Sequence, residues 1–457
     1  MINTKNSVSV TDFGAVSASG ELQTKAFQDA FDKIFLMGGG RVIVPEGTYY
    51  IGGVRIRSNT TLYLCKGAKI IASRDPNDYF CLQNDTVEPL SEEYFTNVVW
   101  SSPRHPESFD DAFLNTVGSS WNNAVFRAVF AENICIFGEE GSVIDGCNTY
   151  DPVGEERYRG PHGFNMFYCK NVHFEGYTVK NTGNWAHCMQ RSENFRFKNI
   201  TVEGGHDGVH NRKCRNVTVE DCKFYTGDDC VAGFANRNVT VRNCIMNTAC
   251  SGLRMGGSDI LIENCHFFGP AKYLFRGSLS LEEKISGALH SEIGRRNMLS
   301  MFTYFADKTL SIEETPENIV IRNCKVESSD RFIHYNFSGN ETWQLGTPLK
   351  SLFIENVSAQ NLRLPLTAYG SADLPLTLEI SDVDISFAQD AEDVPFMHAA
   401  NVKSLKLKNV NVSKSSKTPF IKSWGAVEST VFENVSSTGG EEIAVTLTDE
   451  KFVCKAI

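Results

Sequence analysis

Short stretches of alternating apolar and polar residues recur along the chain between polar corners, in the form Asn-apolar-x-apolar-x-Asn/Asp-apolar. The pattern stands as Asn194-Phe-Arg-Phe-Lys-Asn199-Ile, Asn216-Val-Thr-Val-Glu-Asp221-Cys, Asn238-Val-Thr-Val-Arg-Asn243-Cys and Asp259-Ile-Leu-Ile-Glu-Asn264-Cys. It returns at Asn318 to Cys324, Ser351 to Val357, Leu376 to Val383, Ser404 to Val410 and near Asn434. The second polar position advances by 22, 22 and 21 residues, then by 59, 33, 26, 27 and 25. The unit is therefore one turn of about 22 residues, interrupted by insertions. A strand this short cannot bury its apolar side alone, and stacking successive turns solves that. The spacing predicts an all-β fold, a right-handed parallel β-helix whose neighbouring coils sit about 4.8 Å apart and whose asparagines and cysteines form ladders. A leucine-rich horseshoe would show its leucine pattern, and a propeller would need about twice the period.

The open end of such a solenoid exposes strand edges and needs a cap. Apolar residues from Leu22 through Ala26, Phe27, Ala30, Phe31, Ile34 and Phe35 fall at helical spacing before Gly38-Gly39-Gly40, so an N-terminal capping helix is expected. No linker-like composition interrupts the chain, and residues 1–457 read as one domain. Two segments break the rhythm, Asp75 to about Glu132 and Gly269 to about Glu317. Insertions of this size leave a solenoid on one flank and build either cleft walls or an oligomer contact.

Composition then narrows the partners. The 457 residues carry 44 Lys+Arg against 55 Asp+Glu, a net charge of -11, without a run of basic residues. Nucleic acid and anionic membranes need a basic footprint, so neither is an expected partner. No apolar stretch is long enough to span a membrane, and the first residues lack a secretory h-region, which makes a cytoplasmic protein the expectation. Several of the 14 cysteines occupy one place in the repeat, where they stack as small buried hydrophobes; free thiols in a reducing compartment follow. The oligomeric state is not legible.

Acidic residues at equivalent coil positions carry the candidate chemistry. Asp207 in Gly205-His206-Asp207-Gly208-Val209-His210 precedes Asp228 and Asp229 of Gly227-Asp228-Asp229-Cys230 by 21 and 22 residues, one turn. Carboxylates brought close in this way repel, and a proton held by one beside ionised neighbours suits general acid/base catalysis. Trp185 and His187 lie one coil before Asp207 and are candidate sugar contacts, since sugars present apolar C–H faces to aromatic rings. His206, His210, Ser251 and Arg254 complete the candidate substrate-binding set; the alternatives are corner histidines and core packing. No cluster has metal-ligand spacing, and neither a metal nor a cofactor is expected.

With these motifs in view, the chain resembles the polygalacturonase family of glycoside hydrolases, family 28 and its relatives, within the pectin-lyase-like β-helix superfamily. The resemblance runs to about residue 265 through Val10-Thr-Asp-Phe-Gly-Ala15, Gly40-Arg-Val-Ile-Val-Pro-Glu-Gly-Thr-Tyr, Ile144-Asp-Gly146, Asn181-Thr-Gly-Asn-Trp185-Ala-His187, Asp207-Gly-Val and Thr226-Gly-Asp-Asp-Cys-Val-Ala232. It implies an inverting hydrolase of oligosaccharides in which Asp228 protonates the leaving oxygen while Asp207 and Asp229 activate water. Inversion needs a protonated and an ionised carboxyl about 6.5–9.5 Å apart. The chain departs from the family pattern where Ser251 replaces a histidine, where His210 replaces a second acid, and where the basic motif that grips a uronate has no clear counterpart. Exo action follows if the insertions narrow the groove. Two alternatives stay open: a lyase, transglycosylase or epimerase on the same scaffold, and a non-catalytic carbohydrate-binding β-helix.

Overall fold

A computed structural model of the protein describes residues 5–79, 123–306, 314–338, 341–391 and 394–449. Most of the expected first insertion lies outside the described residues. The fold is a right-handed parallel β-helix with an N-terminal capping helix, and the chain divides into two compact units, Met1–Val217 with Arg276–Gly294, and Thr218–Phe275 with Arg295–Ile457.

In the first unit three rows of parallel strands climb side by side. One row runs Gly40–Val44, Thr60–Leu64, Glu132–Gly138, Lys170–Glu175 and Glu193–Lys198. A second runs Gly47–Ile51, Ala68–Ala72, Val143–Asp145, Thr178–Lys180 and Thr201–Gly204. The third, Val54–Arg55, Ala124–Val129, His162–Phe167, His187–Gln190 and Val209–Arg212, carries the candidate chemistry at its upper end. Like side chains stack from coil to coil, with Phe126 on Phe164 at 5.4 Å and Phe174 on Phe197 at 4.7 Å. The cap is the helix Thr24–Leu36, which buries Ala26, Phe27, Ala30, Phe31 and Ile34. Phe27 meets Tyr49 at 5.9 Å and Phe31 meets Phe126 at 6.5 Å, so the helix seals the first coils. It stops because Gly38, directly after the C-cap Met37, takes the left-handed φ of 80° that side chains resist.

In the second unit the rows lengthen. Val231–Arg242 pairs with Ser251–Glu263, which pairs with both Met298–Tyr304 and Ile319–Glu327. Ile319–Glu327 starts a row continued by Ser351–Leu362, Leu376–Phe387, Val402–Ser413 and Thr430–Ser437. Met298–Tyr304 is buried and belongs to the ladder, a strand within the expected second insertion. Its sequence, Met-Leu-Ser-Met-Phe-Thr-Tyr, gave no alternation because both of its faces are covered.

The repeated corner has a conformational cause. Asn171, Asn194, Asn216, Asn243 and Asn264 have φ between 55° and 60°, the left-handed region that Asn tolerates better than most residues. Their amides also bond coil to coil. In the first unit Asn216 donates to Asn194 at 2.9 Å, Asn194 to Asn171 at 2.9 Å and Asn171 to Asn133 at 3.1 Å. In the second unit Asn243 donates to Asp221 at 3.1 Å and Asn264 to Asn243 at 3.3 Å. The adjoining cysteines repeat one contact: Cys222, Cys244, Cys265 and Cys324 each point Sγ at the carbonyl two residues back, at 3.1–3.3 Å. The described cysteines are free.

Candidate active site

The expected site residues fall in both units and are taken unit by unit. In the first, Asp207 leads into the strand Val209–Arg212 and its backbone carbonyl accepts from the Ala186 N–H at 2.9 Å. Its Oδ2 lies 2.7 Å from His210 Nδ1, and Arg212 Nε donates to His210 Nε2 at 3.3 Å. An arginine cannot accept, so Nε2 is the acceptor and the proton sits on Nδ1, facing the carboxylate. The His210 ring lies flat on the Trp185 indole, with centroids 3.7 Å apart and planes within 5°, and the Arg212 guanidinium stands 5.1 Å from that indole. All four side chains are buried.

Two of the expected sugar contacts are packed within the protein. Trp185 does not offer a bare face to a sugar, because His210 already covers it and only 5% of the residue is exposed. His187 is a core histidine. Its Nδ1 donates to the Gly208 carbonyl at 3.0 Å, its Nε2 accepts from Tyr177 at 2.8 Å, and Phe164 stacks on it with planes within 1°. Burial pulls its pKa down to about 4, so it stays neutral. A histidine two residues from a functional-looking tryptophan carries no signal that separates these roles.

His206 is buried beside Arg159, whose Nη1 lies 3.0 Å from its Nδ1, and it stacks against Tyr158 at 6.0 Å. Burial, reinforced by the guanidiniums of Arg159 and Arg276, holds its pKa well below that of an ordinary histidine. It is therefore a neutral acceptor within a basic neighbourhood.

In the second unit, Asp228 and Asp229 sit where Thr226 and Thr248 both donate hydroxyls to the Asp228 carbonyl, fixing the backbone of the pair. The Asp229 N–H donates to Asp228 Oδ1 at 3.2 Å. One coil on, the Ser251 N–H donates to Asp229 Oδ1 at 2.9 Å, and Arg254 Nη1 stands 3.5 Å from Oδ2. The Ser251 hydroxyl lies 3.0 Å from the Thr303 hydroxyl and also hydrogen-bonds the Asp229 carboxylate, so Ser251 acts on Asp229 through both its backbone and its side chain. Burial pushes the Asp229 carboxyl up to about 6; Asp228 adds to the rise, while Arg254 and the Ser251 N–H oppose it. A carboxyl balanced in this way changes protonation near neutrality, as acid/base chemistry needs.

Arg254 is itself held by aromatic rings, 4.3 Å above Phe305 and 5.3 Å from Trp343. Trp343 is 49% exposed and was not foreseen as a site residue. A lone tryptophan in the polar run Asn340-Glu-Thr-Trp-Gln was its only signal. Carboxylate oxygens of Asp228 and Asp229 and the Cys250 sulfur lie within 4.8 Å of one another, close enough to share a metal ion. The set suits calcium poorly, since that ion takes six to eight oxygens. Two cations also occupy it: Arg295 donates to Cys250 Sγ at 3.0 Å and Arg254 faces Asp229.

The chain is similar to known proteins over part of its length. Residues 111–257, which include Asp207, Asp228, Asp229, Ser251 and Arg254, match the model of glycosyl hydrolases family 28. A probable polygalacturonase of Vitis vinifera is 27% identical over 239 residues, covering 50% of this chain and 44% of that protein. The chain spans about half the length of the curated relatives it matches, 44%, 41% and 50% of them. Among solved structures, an exopolygalacturonase of Thermotoga maritima superposes with a TM-score of 0.59 at 18% identity, covering 90% of this chain and 93% of that one. The surface adhesin PfbA of Streptococcus pneumoniae reaches 0.55 at 16% identity, covering 99% and 96%. At these identities the structural likeness establishes the fold, which an enzyme and an adhesin share.

Proposed function

We propose that this protein is a glycoside hydrolase of the polygalacturonase type, exo-acting on oligosaccharides and inverting at the anomeric carbon. The observation that carries this reading is the buried pair Asp228–Asp229, fixed through its backbone and lying within the segment that matches glycosyl hydrolases family 28. A chain that kept the fold for binding alone would have no reason to hold a carboxyl such as Asp229 in a water-poor place at a net electrostatic cost. Asp228, the more exposed of the pair, is the general acid, and Asp229 and Asp207 are the bases that activate water. Asp229 is suited to that work because burial raises its carboxyl to about 6, where it takes up and gives back a proton near neutrality, while Arg254 and Ser251 limit the rise. Asp207 is suited because the His210 N–H stabilises a carboxylate. The exo reading takes support from the Thermotoga maritima exopolygalacturonase, whose fold this chain shares along its length.

The test is product release from α-linked galacturonide oligomers and neutral controls by wild type and Asp228→Asn, with and without EDTA. Single sugars released with inverted configuration, unaffected by chelator and lost in the variant, support the reading. Unsaturated products would move the case to a lyase, and binding with no turnover would move it to the non-catalytic alternative.

A further inference from the structure

In the first unit the segment Arg276–Gly294 packs beside the loop that carries His206 and Asp207, and the Arg276 N–H donates to the Gly205 carbonyl at 3.4 Å. Arg276 is 3% exposed. Its Nη2 donates to the Lys284 carbonyl at 3.0 Å, but among the described residues Nε and Nη1 have no hydrogen-bond partner. Among the described residues no carboxylate pairs with it; the charged groups that bear on it are the Tyr158 phenol and the Arg159 guanidinium. Burial, with Arg159 adding to it, pulls this guanidinium down to about 10, unusual for a group that stays charged in nearly every protein. Lys284, from the same segment, stands 4.6 Å above the Tyr158 ring. Arg159 has its own partner in Glu156 at 3.1 Å, and that glutamate is half exposed.

A buried cation without a counter-ion costs several kcal/mol, and unpaired N–H groups add to the cost. Structures keep such groups where a ligand supplies the missing partner. Two guanidiniums, Arg159 and Arg276, bear on a neutral histidine, which accepts a hydrogen bond but brings no charge, and Lys284 stands over the neighbouring Tyr158 ring. We propose that Arg276, flanked by Arg159 and Lys284, binds a carboxylate carried by the saccharide, so that the segment Arg276–Gly294 supplies the basic grip that the family-type sequence motif lacks. The inference rests on the hydrolase reading for its ligand. Arg276 and Lys284, which follow residue 257, lie outside the segment that matches the family, whereas Arg159 lies inside it.

The test is calorimetric titration of the full chain with trigalacturonate and with its methyl ester, for wild type, Arg276→Met, Arg276→Lys and Lys284→Met. Wild type is expected to prefer the acid by about 10- to 100-fold, the range of a charge-assisted hydrogen bond, with the preference shrinking as salt rises. Arg276→Met should abolish that preference, Arg276→Lys restore part of it, and Lys284→Met reduce it about threefold through lost surface charge. A wild type that does not distinguish acid from ester, or an Arg276→Met protein that keeps the preference, overturns the proposal. If Arg276→Met does not fold, the Arg276→Lys and Lys284→Met proteins decide the question: a graded loss of preference supports the site, and an undiminished preference in both overturns it. Inorganic phosphate serves as a competitor: displacement of trigalacturonate supports an oxyanion site shared with the sugar, whereas phosphate binding without saccharide binding overturns the sugar assignment. Binding is read without turnover. Acid preference with no cleavage would sink the hydrolase reading and keep this site, while cleavage of acid and ester alike by wild type and Arg276→Met would do the reverse.

Discussion

The carboxylates of the two units are controlled by opposite means. In the first, Asp207 receives a hydrogen bond from a neutral ring whose orientation is fixed by stacking on Trp185 and whose far nitrogen is occupied by Arg212. In the second, Asp229 is governed by charge and burial: a cation and a backbone N–H favour ionisation, and burial with a neighbouring carboxylate opposes it. A hydrogen bond from a neutral donor sets direction and changes little with pH. A balance of burial against charge sets proton affinity, and it moves when either side is altered. One unit therefore specifies geometry and the other specifies the pH at which the group works.

The largest break in this comparison is removal of a carboxylate. Asp229→Asn and Asp228→Asn should each lower kcat/KM by about 10²–10⁴-fold on the oligomer that wild type cleaves, as measured by initial rates. Asp229→Asn should do so without loss of stability. Folding raises this carboxyl above its ordinary value, so its protonated form is favoured in the native state. The resulting stabilisation is complete below about pH 4 and lost as pH climbs through about 6. At neutral pH the carboxylate is then a net cost, of up to about 3 kcal/mol. Denaturant titrations at pH 4.5 and 7.5 should show the variant gaining on wild type at the higher pH; an equal or larger deficit there would contradict the account.

Arg254→Met sharpens the second half. Without the cation the Asp229 carboxyl should rise further, so the acid limb of the kcat/KM profile, expected near pH 6 in wild type, should move upward. A limb that stays in place would mean that Arg254 serves only substrate or packing. His210→Phe sharpens the first half: the ring can still stack on Trp185 but cannot donate to Asp207, and kcat should fall about 10- to 100-fold with the pH limb unmoved. The smallest effect expected is on the ladder, where Asn194→Ala should cost about 1 kcal/mol in chemical denaturation and leave kcat alone.

Much of the fold was legible because a repeated corner leaves a repeated residue. Asn194, Asn216 and Asn243 mark left-handed corners, and their spacing gives the coil directly. The cap was legible through helical periodicity from Ala26 to Ile34. Met298–Tyr304 escaped because a strand buried on both faces has no alternation to read. The aspartates were visible as carboxylates spaced by one coil, but what surrounds them was not. Trp185 and His187 stand two residues apart and read as one kind of feature, yet the first stacks on His210 and the second fills the core. Such assignments depend on which neighbours the adjacent coil delivers, and the bonding of Arg276 depends on a segment that lies outside the repeat altogether.

The left-handed asparagine corner also limits how a chain of this kind can change. Within each unit, neighbouring coils are registered by the same kind of corner, so duplication or loss of one whole turn would leave the rungs on either side matched. A change of any other length must leave the stack and rejoin it in phase, as the excursion between Gly269 and Met298 does before the ladder resumes. Lineages of such a protein should therefore differ in two size classes, whole rungs that alter the number of coils and off-rung excursions that alter what stands on the flank of a coil. New chemistry enters through the second class, since it brings side chains to the flank without disturbing a single corner.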